Sequence, residues 1–205
     1  PHADGPTRPA SAIAGIILAA GPSSRMGRPK QLLQYDGVSL LRRTATAAVD
    51  SGLSPIAAVL GAQADLLVGE LASLPVRVVV NTVWQRGMAT SIRAGVHALR
   101  CETLEAVIIL LTDQPFVSAA VLNGLIAMFR TTRAPIVASE YGGTLGPPAL
   151  FDRACFSRLA ELPDGSGAKS LFTSARAALR TITFPQGACD IDTPDDYERL
   201  RHSSA

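Results

Sequence analysis

Hydrophobic residues follow two alternating rhythms along this chain. Short continuous or β-branched apolar runs predict strands at 13–19, 55–60, 76–80, 106–111, 136–139 and 180–184, with an extended stretch at 148–151. Between them, apolar positions at helical spacing predict helices over 39–51, 63–71, 89–99, 118–130, 153–159, 168–178 and 194–201. Strands that alternate with helices imply parallel pairing through right-handed crossovers. The expected fold is therefore α/β and Rossmann-like, a doubly wound, mostly parallel sheet with helices on both faces. Pro and Gly cluster at 142–148 and 163–167, which read as loops inside that fold. Residues 13–201 read as a single domain, preceded by a polar, disordered segment over 1–12.

Composition narrows the classes of function. The chain has 205 residues, 47% of them hydrophobic, enough to bury a core without disulfide or metal staples. Nineteen basic against seventeen acidic residues leave +2, too even a balance for a nucleic-acid footprint. No apolar run approaches the ~18–20 residues of a membrane span, and residues 1–12 lack the apolar stretch of a signal peptide. Neither nucleic acid nor membrane is an expected partner. Cys101, Cys155 and Cys189 are odd in number, far apart and without a CxxC, which fits a reducing cytoplasm. His2, His97 and His202 form no ligand set. Only two of the basic residues are lysines, Lys30 and Lys169.

In doubly wound folds ligands bind beyond the carboxyl ends of strands, so the residues after each strand carry the candidate chemistry. After the first strand comes Gly21-Pro-Ser-Ser-Arg-Met-Gly-Arg-Pro-Lys30. Its glycines allow backbone N–H groups to face phosphate oxygens, and Arg25 and Lys30 add charge. The spacing is neither Walker A nor G-x-G-x-x-G, and an exposed basic loop is the plain alternative. Asp113 follows the most apolar strand and suits either a turn before Gln-Pro or a hard-oxygen metal ligand. Asp192 precedes Thr193-Pro194 and suits either helix capping or metal binding. Asp195 and Asp196 belong in that helix's first turn. Trp84, the only tryptophan, reads first as packing rather than a base-stacking platform.

Five segments, in order, carry a resemblance. Leu18-Ala-Ala-Gly-Pro-Ser-Ser-Arg-Met-Gly-Arg-Pro-Lys30 resembles the LAAGxSxRMGxxK signature of MobA-like nucleotidyltransferases. Asn81 to Ser91, Leu111-Thr-Asp113-Gln114-Pro115, Gly146 to Phe151 and Asp190-Ile-Asp192-Thr193-Pro194-Asp-Asp-Tyr197 resemble the family's molybdenum-cofactor cytidylyltransferase branch. The resemblance spans about residues 13 to 200 and implies a sheet of the nucleotide-diphospho-sugar transferase type.

It also implies a nucleoside triphosphate and Mg²⁺. The nucleotide would lie against Leu18, Ala19, Ala20, Gly21, Ser24, Arg25 and Lys30, with Asn81, Gly87 and Ser91 reading the base or ribose. Arg25, Lys30 and Asp113 would be catalytic, and Asp113 and Asp192 would hold the metal. Gly146, Pro147, Pro148 and Lys169 would meet the acceptor, implied to be the molybdopterin cofactor. Two departures fall there: Pro147 stands where the branch has His, and Asp164 is shifted by one position in the loop before Ala168. Lys169 suits a solvated helix start equally well. The LAAG form favours CTP over GTP. The implied reaction moves CMP onto the acceptor phosphate and releases pyrophosphate. Its rivals are a same-fold transferase using GTP or a sugar or alkyl phosphate, and a non-catalytic cofactor carrier. A molybdoenzyme or its maturation chaperone is the implied protein partner.

Overall fold

The computed structural model describes residues 12–100 and 103–202. The segment expected to be disordered lies outside these residues except for Ala12, which already belongs to the first strand; His2 and Cys101 also lie outside. The strands are β1 (Ala12–Ala19), β2 (Gln34–Tyr35), β3 (Val38–Ser39), β4 (Ile56–Leu60), β5 (Val76–Val80), β6 (Leu104–Leu111), β7 (Ile136–Tyr141), β8 (Thr144–Asp152) and β9 (Arg180–Thr183). The helices are α1 (Leu40–Asp50), α2 (Ala64–Leu67), α3 (Met88–Ala98), α4 (Ala119–Thr132), α5 (Phe156–Ala160), α6 (Ser170–Ser174) and α7 (Pro194–His202). Seven strands form one sheet in the order β5-β4-β1-β6-β8-β7-β9. Every pairing is parallel except those of β8, which runs against both neighbours. The fold is the expected doubly wound, mostly parallel sheet.

The pleat explains why β1 is buried on both faces: successive side chains point to opposite sides. Ile13, Ile17 and Ala19 pack with Leu41, Ala45, Leu122 and Phe129 of α1 and α4. Ala14, Ile16 and Leu18 pack on the other face with Ile92, Val96, Leu159 and Phe172 of α3, α5 and α6. At Gly95 an added Cβ would stand 2.6 Å from Ile16 Cγ2, so α3 reaches this depth only without a side chain there. Among the described residues, no helix is long and apolar enough to cross a membrane.

The structure corrects several sequence expectations. Residues 142–148 are not a loop. Gly142 and Gly143, at φ 54° and 73°, close a two-residue hairpin between β7 and β8, and the rest of the segment is strand. Asp36 and Gly37, also at positive φ, close the small β2–β3 hairpin, which the apolar pattern does not show. Three expected helices are shorter than their patterns. The first stops as α2 and continues as a 3-10 turn around Gly69. The second opens as a 3-10 turn capped by Asp152, whose Oδ1 accepts from the Ala154 N–H at 2.8 Å, before α5. The third survives only as α6, where Leu171 and Phe172 are buried, and leaves through tight turns such as Ala178 N–H to Ala175 O at 2.9 Å.

Candidate active site

From β1 the chain builds β4 and β5 on one side of the sheet, then returns to set β6 on β1's other side. The crevice beyond the carboxyl ends of β1 and β6 is thus a topological switch point. It holds a cavity of about 400 Å³ whose walls include Leu18, Ala20, Gly21, Lys30, Gly87, Ser91 and Asp113.

The loop after β1 is held by its own side chains. Ser23, at φ 54°, accepts the Lys30 N–H at 2.9 Å and donates to Gln31 Oε1 at 3.1 Å. Gln31 is buried, and its amide donates to Ala19 O at 3.2 Å and Gly21 O at 3.0 Å. Met26 drops into a small core with Leu33, Leu40, Ile191 and Leu200, docking the loop against the start of α1, the segment before α7 and the end of α7. Sequence reasoning missed Ser23 and Gln31; the first stood only as one residue of the loop, and the second follows directly after it. Ser24 and Arg25 stay exposed at its tip.

Lys30 reaches back across the crevice. Its Nζ donates to Asp113 Oδ2 at 2.7 Å and to Asp192 Oδ1 at 2.9 Å. Arg25 Nη1 lies 3.8 Å from Asp192 Oδ2. Burial alone would lower the lysine's pKa, but Asp113 and then Asp192 more than offset it and hold the ammonium above its ordinary 10.5. The Ile191 N–H donates to Asp113 O at 2.9 Å, which zips the two carboxylate-bearing segments together. The helix-capping alternative for Asp192 is taken over by its neighbour. Thr193 Oγ and the Thr193 N–H donate to Asp196 Oδ2 at 2.7 and 2.8 Å, and Thr193 Oγ accepts the Asp196 N–H at 3.3 Å. Asp192 is left facing Lys30. Asp190 is pushed up to about 6 by burial and by the nearby carboxylates of Asp113 and Asp192.

Two carboxylates that converge on one ammonium offer hard oxygens to a single point. Mg²⁺ and Mn²⁺ take such sites, one or two carboxylates completed by substrate phosphates. Asp113 Oδ1 is also buried without a hydrogen-bond partner. Asp113 and Asp192 therefore fit a divalent ion. Among the described residues there is no group of three or more His, Cys, Asp or Glu that would make an all-protein cage.

The MobA-like NTP transferase domain matches residues 15–180. The chain belongs to this family. It is 34% identical over 199 residues to nicotine blue oxidoreductase of Paenarthrobacter nicotinovorans, covering 92% of this chain and 96% of that protein. It is 27% identical to the molybdenum cofactor cytidylyltransferase of Escherichia coli, over 91% and 94% of the two chains. The Rv0371c structure from Mycobacterium tuberculosis superposes with a TM-score of 0.80 at 32% identity, over 94% of this chain and 98% of that one. The same protein has also been solved as a manganese complex.

Within this MobA-like domain the remaining sequence candidates separate. Asn81 leaves the nucleotide-facing set. Its Nδ2 donates to Thr90 Oγ and Ser91 Oγ at 2.7 and 3.0 Å, its Oδ1 accepts the Val83 N–H at 3.1 Å, and the residue is buried. It orders the turn before α3 rather than reading a base. Trp84 does more than pack: it lines the crevice, with its Cβ against Gly61, where an added Cβ would also meet Ala20 at 2.8 Å. Gly87 (φ 107°) admits a second loop, since a Cβ there would stand 3.0 Å from Gly165 N. Asp164 fastens that loop, accepting from Arg86 Nε at 2.7 Å and Arg93 Nη2 at 2.6 Å.

A second cavity of about 350 Å³ adjoins the first and shares Leu18, Met88 and Leu111 with it. Pro147 and Lys169 line it. Gly146 sits behind Tyr141, whose hydroxyl would lie 1.9 Å from an added Cβ. Pro148 is buried, and its carbonyl accepts Ser139 Oγ at 2.7 Å. Tyr141, Phe151 and Phe172, which also line this cavity, escaped sequence reasoning because nothing in their local pattern separates them from core.

Proposed function

We propose that this protein is a Mg²⁺-dependent nucleotidyltransferase that moves CMP from CTP onto the phosphate of a molybdopterin-type acceptor and releases pyrophosphate. The observation that carries the reading is the meeting of Lys30, Asp113 and Asp192 at the switch point. An acceptor phosphate oxygen attacks the α-phosphorus in line. The bond from that phosphorus to the α–β bridging oxygen breaks, and the oxygen leaves with the electron pair as part of pyrophosphate. Lys30, a compact charge on a flexible stem, follows the negative charge onto the leaving group. Arg25 clamps the phosphates from the loop tip. Asp113 and Asp192 would hold the divalent ion, which would supply charge neutralisation to the triphosphate. The loop backbone at Ala19, Ala20 and Gly21, set by Gln31, borders the base, and Ser91 lies within the same crevice.

The Ala20 methyl narrows the base site and favours a pyrimidine, although one methyl discriminates by only about 1–3 kcal/mol. The cytidylyltransferase name of the Escherichia coli relative supports the same base and acceptor. The deciding experiment is a thermal-shift panel of CTP, GTP, ATP and UTP with Mg²⁺, followed by pyrophosphate release in the presence of acceptor. Selective stabilisation by CTP with pyrophosphate release is the expected result. Selective stabilisation by GTP overturns the cytidylyl assignment. Binding of both ligands without pyrophosphate release favours a carrier that delivers cofactor to a molybdoenzyme.

A further inference from the structure

Gln114 follows Asp113 beyond the end of β6, and only 2% of it is exposed. Its amide is turned toward two distant segments. Nε2 donates to Gly187 O at 3.0 Å and to the Tyr141 hydroxyl at 3.2 Å. Oε1 is buried and has no hydrogen-bond partner among the described residues. A buried carbonyl oxygen left unpaired costs stability. Turning the amide over would bring that oxygen to the Tyr141 hydroxyl, a possible donor, but would set it against the Gly187 carbonyl, an acceptor like itself. The observed orientation pairs Gly187 and leaves Oε1 without a donor. The bond to Gly187 is therefore what fixes the amide.

Gly187 lies in the 3-10 turn Pro185–Ala188, which leads to Asp192. Its backbone sits close against β7: an added Cβ would stand 2.5 Å from Tyr141 Cδ1 and 2.6 Å from Phe184 Cδ1. Further on, the Ile191 N–H donates to Asp113 O, and Ile191 is fully buried. Asp113 and Gln114 thus grip this segment at two points, and Asp192 is the next residue. On its far side, the Asp192 N–H donates to Asp196 Oδ2 at 3.2 Å. The Asp192 side chain is half exposed, and its ionic partners among the described residues are Lys30 and Arg25. Little packing aims this carboxylate, so the backbone that carries it must.

We propose that Gln114 is a positioning residue for the divalent-ion site: by holding the Gly187 carbonyl it sets the backbone over residues 187–191, so that the Asp192 carboxylate meets that of Asp113 at one point. This rests on the assignment of Asp113 and Asp192 to the ion. Gln114 lines neither cavity, so it acts through Asp192 and not on the ion or a substrate. Two carboxylates bind a hard cation together only while their oxygens share one geometry. Groups that orient the ligands therefore set affinity without touching the metal.

The test titrates Mn²⁺ into the nucleotide-free full chain by calorimetry, with circular dichroism to confirm that each variant is folded. Gln114→Met keeps the length of the side chain and removes its donors. It should weaken Mn²⁺ binding about tenfold. Asp192→Asn should weaken it as well, and adding Gln114→Met to Asp192→Asn should weaken it no further, because the effect runs through that carboxylate. A purely structural role for Gln114 would leave the Mn²⁺ affinity of the folded protein unmoved. Unchanged affinity in Gln114→Met overturns the proposal, as does a double variant in which the two losses add in full. Should Gln114→Met not fold, Gly187→Ala decides, since its methyl group displaces the same turn from the other side. Weaker Mn²⁺ binding is then expected, and unchanged binding overturns the proposal. Mn²⁺ binding that Asp192→Asn leaves unchanged defeats the ion assignment itself, and this inference with it. Binding that depends on Asp192 but not on Gln114 defeats this inference alone.

Discussion

The two adjoining cavities are built by opposite means. The crevice beyond β1 and β6 is made of backbone and fixed charge: a loop stapled by Ser23 and Gln31, and one ammonium shared by Asp113 and Asp192. The cavity beside it is walled by side chains from β1, α3, β6, β7, β8 and α6, with Lys169 and Asp190 also in its lining. The first kind of wall suits chemistry on phosphate, where preorganised charge does most of the stabilising. The second suits selection by shape and desolvation. Leu18, Met88 and Leu111 belong to both, so reaction and specificity meet across one shared layer.

The comparison can be broken most severely at Asp113. Asp113→Asn keeps the shape and removes the charge. We expect turnover to fall about 10²–10³-fold in a pyrophosphate-release assay, with the KM for the acceptor unchanged. A parallel rise in the acceptor KM would show that the two cavities are not separable.

Lys30 gives a smaller and more revealing effect. It occupies the point on which both carboxylates converge, so it competes with a divalent ion for them. Lys30→Met should lower turnover about 10²-fold yet tighten Mn²⁺ binding by nucleotide-free protein about tenfold, read by calorimetry. Unchanged or weaker Mn²⁺ binding would place the ion elsewhere.

Gln31→Ala sharpens the role of the staple. It removes hydrogen bonds to Ala19 O and Gly21 O and leaves both carbonyls to find new partners. A loss of about 1–3 kcal/mol in denaturant unfolding is expected, with weaker nucleotide binding and an unaltered acceptor KM.

The least effect lies in the loop that Asp164 fastens near Gly87. Hydrogen bonds from Arg93, and then Arg86, hold the Asp164 carboxyl below its ordinary 3.8. A depressed folded value means that its contribution is present above pH 3.8 and is lost as pH falls through the folded value. Melting temperatures of the wild type and Asp164→Asn should therefore converge in that acid range and differ slightly above it. A constant difference across the whole range would remove the charge from the explanation.

Much of this was legible in the linear chain. Apolar runs and helical spacing marked the principal strands and helices, because burial on one or two faces imposes a period on the residues themselves. The Gly142-Gly143 hairpin was also legible in principle, as two glycines between β-type runs, but the neighbouring prolines 147 and 148 disguise the strand. The roles of Asp192 and Asn81 were not legible. Each residue type suits two tasks, and only neighbours distant or near in space choose between them: Thr193 and Asp196 relieve Asp192 of capping, while Thr90 and Ser91 occupy Asn81.

The alternation that folds into a doubly wound sheet is written in the order of the residues, as are the loop and the two aspartates that follow its strands. Tertiary structure decided what those groups do to one another. Lys30 meets carboxylates 83 and 162 positions away, and the second cavity draws its walls from β1, α3, β6, β7, β8 and α6. Periodicity is a local property that a chain carries openly. Convergence of charges and the shape of a cavity exist only once distant segments are packed, and so they were left for the fold to specify.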